Sequence, residues 1–215
     1  MSTSLPGAVA RAGAAALFGA LTAGRRKRVF HPVGGGFEAT FNPVAGAFDA
    51  PLFADGEPRR AVVRMSKGIG LPGRLPDVLG FAVKILEPEQ DFLLVTSGSA
   101  PGARHLLWPA ADACARPYSS ILFFRAGCET VVFGGELTEE RTFRLTAATA
   151  TGPWRAAGFV ELHDPLPDEV SQELHFNPAN SGGGIEPVGP LNRLRDAAYR
   201  ASQRARAEHQ TTTTG

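Results

Sequence analysis

The sequence has few cysteines, little net charge and no apolar run of membrane-spanning length, and each shortage excludes a class of protein. Two cysteines, Cys114 and Cys128, are too few for a disulfide framework, and their separation matches no zinc-binding spacing. With 20% charged residues and a net charge of +1, no strong electrostatic field favours a nucleic acid partner. The apolar stretch at residues 12–24 is shorter than the roughly 20 residues that a membrane span needs.

Targeting and phosphate-binding signals are also missing. The basic run at residues 25–28 follows the apolar stretch, whereas a secretory signal carries its positive charge before the apolar part. The glycine-rich segments at residues 34–36 and 182–184 have neither the Gly-Lys-Ser/Thr of a phosphate loop nor a dinucleotide fingerprint. We therefore expect a cytoplasmic protein with reduced thiols, without membrane association and without a nucleic acid partner. A homodimer is left open.

Periodicity predicts a single domain over residues 1–210 and a disordered tail at 211–215. It consists of an N-terminal helix at about 6–24, a barrel at about 29–163, and a loop and C-terminal helix at about 177–208. Strand patterns occur at residues 37–41, 61–65, 80–86, 92–96, 121–124, 130–133, 142–148 and 157–162. Short connections without helical periods favour an antiparallel meander that closes on itself. The fold class is α+β, mainly β: an antiparallel β-barrel with flanking N- and C-terminal helices.

Two segments near the predicted barrel carry residues suited to chemistry. His31 precedes three glycines, which let the backbone pass close to a large planar ligand. Arg64 and Ser66 are two residues apart on a predicted strand, so their side chains share a face. A hydroxyl there can fix the tautomer of an imidazole, and a guanidinium can hold a carboxylate. The alternative for each is an ordinary turn or strand end.

The predicted C-terminal helix contains a second pair. Arg195 and Tyr199 are spaced i to i+4 and therefore lie on one helix face. A phenol with a pKa near 10 is a poor metal ligand at neutral pH, but a neighbouring cation favours the phenolate, which binds ferric iron. An arginine whose stem merely covers a tyrosine is the alternative.

Four patterns in this order resemble the haem core of catalases. They are Arg-x-x-His-x-x-Gly at residues 28–34, Val-Arg-x-Ser at 63–66, Pro-Asp-x-x-Gly-Phe-Ala-Val-Lys at 76–84, and a C-terminal Arg-x-x-x-Tyr at 195–199. The closer resemblance is to small catalase-like proteins and allene oxide synthase-type domains, which end in Pro-x-Gly-x-x-x-Arg-x-Arg-x-x-x-Tyr, as residues 187–199 do. The match runs discontinuously over most of the domain.

The resemblance implies a bound haem b (ferric iron protoporphyrin IX) with an axial tyrosinate. Tyr199 resembles the iron ligand, and Arg195 resembles the arginine that stabilises its negative charge. Arg28 and Arg64 resemble the arginines that pair with the haem propionates.

On the other side of the haem, His31 resembles the distal histidine, which moves a proton between the oxygens of a bound peroxide, and Ser66 resembles the hydroxyl that orients it. Catalases also carry a distal asparagine, for which this chain has Thr96 or Ser97 after the strand at 92–96. A hydroxyl is shorter and differently aimed than an amide. Fast catalase turnover is therefore not expected.

We expect a haem-dependent, peroxide-using oxidoreductase, either a peroxidase or a weak catalase, which acts on hydrogen peroxide or an organic hydroperoxide. The catalytic residues expected are His31, Ser66 and Thr96. One alternative is a haem enzyme that rearranges a hydroperoxide or another O–O or N–O bond, as in the allene oxide synthase relatives. The other alternative is a haem-binding protein without catalysis.

Overall fold

A computed structural model describes residues 35–71 and 75–189. Their alternating apolar and polar residues form ten β-strands in one antiparallel sheet. The strands are β1 (Gly36–Pro43), β2 (Arg59–Lys67), β3 (Leu79–Ile85), β4 (Gln90–Thr96), β5 (Tyr118–Ser119), β6 (Phe124–Ala126), β7 (Glu129–Leu137), β8 (Thr142–Ala148), β9 (Arg155–Pro165) and β10 (Ile185–Pro187).

Eight of these strands close into a barrel. Around the ring the order is β1, β2, β3, β4, β5, β7, β8 and β9, and β9 pairs again with β1. Strands β6 and β10 extend the sheet beyond β7 and lie outside the ring. The predicted closed antiparallel meander, and with it the mainly β fold class, is confirmed.

The interior of the barrel is filled by aromatic side chains. Phe81 stacks on Phe143 with ring centroids 4.2 Å apart, and Phe92 tilts against Phe133 at 4.9 Å. All four rings are 1% exposed or less. Inward and outward side chains alternate along every strand, so the registers fix which residues can reach a ligand outside the barrel.

Short helices accompany the barrel. The α-helix α1 (Asp168–Glu173) packs beside β1, where the Ser171 hydroxyl accepts a hydrogen bond from the Gly36 amide at 3.1 Å. A Cβ at Gly36 would come within 2.5 Å of the Ser171 hydroxyl oxygen, so this contact requires glycine. The start of β1 is therefore held against helix α1. Two 3-10 turns span Pro51–Phe53 and Ala103–His105.

Some predicted elements lie outside the described residues: the N-terminal helix at 6–24, the C-terminal helix that follows the loop at 177–190, and the tail at 211–215. The described residues contain no helix that is long and apolar enough to cross a membrane.

Candidate functional site

Three of the seven site residues predicted from the sequence are described by the structure. Arg64 and Ser66 lie on β2, and Thr96 is the last residue of β4. The other four, Arg28, His31, Arg195 and Tyr199, lie outside the described residues.

Arg64 and Ser66 share the outward face of β2, as predicted from their spacing. The neighbouring residues Ala61 and Val63 point into the barrel and belong to its core. Across the sheet Arg64 pairs with Gly36 on β1 and Ala82 on β3, and Ser66 pairs with Gly80. The guanidinium and the hydroxyl therefore stand on the same side of the sheet, directly beside small residues.

These small residues create a low, half-buried surface on the outside of strands β2 to β4. A Cβ at Gly80 would lie 2.7 Å from the Ser66 hydroxyl oxygen, so a larger residue there would displace that hydroxyl. We call this surface the outer patch, and it consists of Arg64, Ser66, Gly80, Ala82, Leu93 and Val95, all half-buried. Gly80 and Ala82 in the middle carry little side chain, which lets another group approach the backbone closely.

Thr96 does not join the outer patch. It continues the inward series of Phe92 and Leu94, is fully buried, and its hydroxyl accepts a hydrogen bond from the Leu79 amide at 3.0 Å. Ser97 is also fully buried, and its hydroxyl donates to the Gly98 carbonyl at 3.2 Å. The structure therefore brings Arg64 and Ser66 together and leaves Thr96 on the other face.

A different hydroxyl lies in the outward row, which sequence reasoning missed. Ser119 on β5 pairs with Val95 on β4, so the row runs Ser66, Gly80, Val95, Ser119. The Ser119 hydroxyl accepts the Ile121 amide at 2.9 Å. Strand β5 has only two residues, and no periodic pattern can be detected in so short a segment.

An apolar cluster adjoins the Val95 end of the outer patch. Ile121 and Leu122 are buried there, with Val95 and Leu107 packed against them; we call these four residues the satellite cluster. Ile121 has a φ of 63°, which is strained for a β-branched residue. Such a conformation persists only where neighbouring groups hold it.

His105 is one of the groups that hold Ile121. Its Nδ1 lies 2.6 Å from the Ile121 carbonyl oxygen, and its ring packs against Phe123 with centroids 5.0 Å apart. Because a carbonyl only accepts, Nδ1 carries the proton and Nε2 is left as an acceptor. His105, which no sequence pattern singles out, is thereby held with a proton on Nδ1.

A buried carboxylate lies one row beyond Leu93 on the outward face. Asp91 is fully buried, and its Oδ2 accepts the Asn177 amide at 2.5 Å and the Asn180 side chain at 3.3 Å. Burial raises the pKa of Asp91 to about 6, although the hydrogen bonds and Lys84, 3.9 Å away, act in the opposite direction. The Asp91 carboxylate therefore titrates close to neutral pH.

The segment at residues 177–189, which leads toward Arg195 and Tyr199, is anchored at this point. Besides the Asp91 contacts, the Gln90 side chain donates to the Asn180 carbonyl at 2.8 Å and accepts the Ile185 amide at 3.3 Å. The Gly182 amide donates to the Glu89 carbonyl at 2.9 Å. After Gly184 the chain forms β10, which pairs with β6, and the Val188 amide donates to the Phe123 carbonyl at 3.0 Å. The described chain therefore ends beside β6.

The residues of the outer patch are of the kinds that would line one wall of a haem site. Gly80 and Ala82 carry little side chain, Arg64 has a guanidinium of the kind that pairs with a propionate carboxylate, and Leu93 and Val95 are apolar. Among the described residues no group of three or more His, Cys, Asp or Glu could hold a metal ion. The predicted iron ligand, Tyr199, is a single side chain beyond them.

Comparison with known proteins adds no relative. The chain matches no protein-family model, and a search of curated proteins finds no match.

Proposed function

We propose that this protein is a haem-dependent, peroxide-using oxidoreductase whose b-type haem lies against the outer patch. The observation that carries the proposal is the shared outward face of Arg64 and Ser66 beside Gly80 and Ala82. That arrangement combines a propionate partner, a hydroxyl and a surface with little side chain. An ordinary strand end needs none of the three.

Chain length supports the participation of His31. Gly36 is paired with Arg64, and His31 precedes it by five residues, which span at most about 17 Å. The outer patch is therefore within reach of this imidazole. The arginine of the same segment, Arg28, is proposed as the second propionate partner.

Each residue has a defined task in the proposed reaction. Bound ferric haem supplies the metal centre at which the O–O bond of a peroxide breaks. His31 takes the proton from one peroxide oxygen and delivers it to the leaving oxygen, as a general base and then a general acid. The Ser66 hydroxyl would accept a hydrogen bond from the Nδ1–H of His31, which keeps the proton on Nδ1 and leaves Nε2 available for that transfer.

The C-terminal pair, Arg195 and Tyr199, would hold the haem iron. Tyr199 is the proposed iron ligand, and the Arg195 cation lowers the pKa of its phenol so that the anionic form binds iron. The described chain before this pair is held at Asn177 and Asn180 beside β4 and at residues 185–187 beside β6. We further propose that the protein works in the cytoplasm, in keeping with Cys114 and Cys128, which are free thiols.

A second candidate is a haem enzyme that rearranges an organic hydroperoxide or an N–O bond. One observation favours it: the outward neighbours of Ser66 across the sheet are Gly80 and then Val95, so no side-chain amide stands beside its hydroxyl on the described outward face. Fewer hydrogen-bond donors for hydrogen peroxide leave catalase turnover weak. A haem-binding role without catalysis is the third candidate.

Haemin titration followed by absorption spectroscopy tests the proposal. We expect a ferric high-spin spectrum with a phenolate charge-transfer band that disappears in Tyr199→Phe.

His31→Ala should keep the haem and slow its reaction with peroxide by about 100-fold or more. Oxygen evolution and peroxide-dependent dye oxidation then separate the candidates, since a haem-loaded protein with neither activity favours the second or third.

A blocking substitution tests the position of the haem. Ala82→Trp places a large ring on the outer patch without touching the barrel interior, and we expect haemin affinity to fall at least about tenfold. Thr142→Trp is the matched control, because Thr142 is also a half-buried outward residue but lies on β8. Equal haemin binding by both variants, or a protein that never binds haemin, would refute the proposal.

A further inference from the structure

The outward face of strands β7 to β9 carries a groove of about 270 Å³, separate from the outer patch. We call it the Trp154 groove and define it by Gly135, Glu136, Arg144, Thr146, Trp154 and Ala156. The outer patch lies on β2 to β4, on the far side of β5. The proposed haem site therefore does not account for this groove.

The indole of Trp154 is fixed before any ligand arrives. Its Nε1 donates to the Ser99 carbonyl at 2.8 Å, and the Arg104 guanidinium lies 4.5 Å from the ring centroid. Gly134 leaves the necessary space, since a Cβ there would come within 2.7 Å of the indole. A ring held in this way offers aromatic surface at low entropic cost.

Arg104 itself is held by the β8 to β9 turn. It is 1% exposed, and its guanidinium donates to the carbonyls of Thr149 at 2.9 Å and Gly152 at 3.1 Å. These partners are neutral, and none of the ion pairs among the described residues includes Arg104. Its positive charge is therefore not neutralised beside the indole.

The open end of the groove is charged and exposed to solvent. Arg144 and Glu136 form an ion pair at 3.0 Å, and both side chains are more than half exposed. This ion pair uses one of the guanidinium nitrogens, which leaves further donors of Arg144 for a ligand. With Arg104 buried beside the indole, two positive charges lie at or near the groove against the one negative charge of Glu136.

We propose that the Trp154 groove binds a small planar aromatic carboxylate. The ring packs against Trp154 above the small residues Gly135 and Ala156, and the carboxylate bonds to Arg144. The volume is below the roughly 300–1,000 Å³ of sites for drug-sized molecules, so the occupant has one or two rings. The excess of positive charge selects the acid over a neutral analogue.

Calorimetric titration of the full chain with 2-naphthoate and with its neutral amide, 2-naphthamide, tests this proposal. We expect the acid to bind at least about fivefold more tightly than the amide. Arg144→Gln should weaken binding of the acid about fivefold or more, while Glu136→Gln should strengthen it about two- to threefold by removing a like charge. Both side chains are exposed, so neither variant endangers the fold.

Removal of the indole is the stronger test. Trp154→Ala should reduce affinity for the acid at least about tenfold, and Trp108→Ala, which removes the tryptophan outside the groove, should not change it. Ala82→Trp on the outer patch should also leave naphthoate binding unchanged, whether or not the haem proposal holds. No heat with naphthoate, equal affinity for the amide, or shifts of the same sign in Arg144→Gln and Glu136→Gln would each overturn the proposal.

Discussion

The inside and the outside of the barrel use the same strands for opposite purposes. Inward positions hold closely packed phenylalanines, such as Phe81 and Phe143, whose rings are fully buried. Outward positions of the same strands, such as Gly80 and Ala82, carry almost no side chain and are half-buried. A filled interior leaves a ligand no room, so recognition in this fold depends on the outward faces.

The comparison also separates stability from chemistry. Free energy of folding comes mainly from the apolar interior, where each large side chain removes water-exposed area. The outward face of strands β2 to β5 holds residues with hydroxyl, guanidinium and carboxylate groups: Arg64, Ser66, Asp91 and Ser119. Substitutions on the two sides should therefore have effects of different size and kind.

The largest effect is expected from an interior truncation. Phe81→Ala removes a fully buried ring that stacks on Phe143 at 4.2 Å, and should lower the free energy of unfolding by about 3–5 kcal/mol. Urea denaturation measures it. Phe159→Ala, at an outward residue that is 39% exposed, is the control and should change stability by less than about 0.5 kcal/mol. Similar losses in both variants would break the distinction between the two faces.

A smaller effect, dependent on pH, is expected from Asp91. Its pKa of about 6 lies above the value near 3.9 of an unfolded chain, so the folded protein holds the proton more tightly. Its contribution to stability is full at low pH and is lost as the pH rises through about 6. The groups that face it are Lys84, Glu89, Asn177 and Asn180.

Asp91→Asn isolates that contribution. The difference in unfolding free energy, wild type minus variant, should fall by about 1–3 kcal/mol between pH 4 and pH 7.5. Urea denaturation of both proteins is measured at each pH in this range, so that the effects of the other titrating groups cancel in the difference. A difference that is constant, or that grows with pH, would contradict the raised pKa.

The smallest effect is expected at the satellite cluster. His105→Ala removes the donor to the Ile121 carbonyl and should cost about 1 kcal/mol. Hydrogen exchange should speed up at the amides of Ile121 and Leu122. His163→Ala is the matched control, because His163 is exposed and contacts Thr40 at the surface. If exchange near Ile121 were equal in both variants, His105 would not be what holds this strained residue.

Most of the barrel could be predicted from the sequence because alternation is a local signal. The predicted strand at residues 142–148 coincides with β8, and those at 61–65 and 92–96 fall within β2 and β4. The predicted strand at 121–124 meets β6 only at Phe124, because Ile121 turns the chain with its φ of 63°. Strands β5 and β10 and helix α1 are too short for a period to be visible.

The candidate site was predictable only in part. The spacing of Arg64 and Ser66 placed them on one face, since alternation along a strand follows from backbone geometry. Alternation also puts Thr96 on the face of Phe92 and Leu94, but which face of β4 turns inward is settled only when the barrel closes. Ser119 enters the outward row only through its cross-strand partner Val95, and such pairing is a property of the folded chain.

The shortest strand in the closed ring of the barrel is β5. Strand β5 has two residues, Tyr118 and Ser119, between the edges of β4 and β7, and one further backbone hydrogen bond lies on each side, from Ser97 to Pro117 and from Ser120 to Phe133. Fewer bonds must break there than at any longer strand, so local opening of the cylinder starts at this link. The outer patch lies on one side of β5 and the Trp154 groove on the other. A molecule bound at either site would therefore oppose local opening of the barrel at β5.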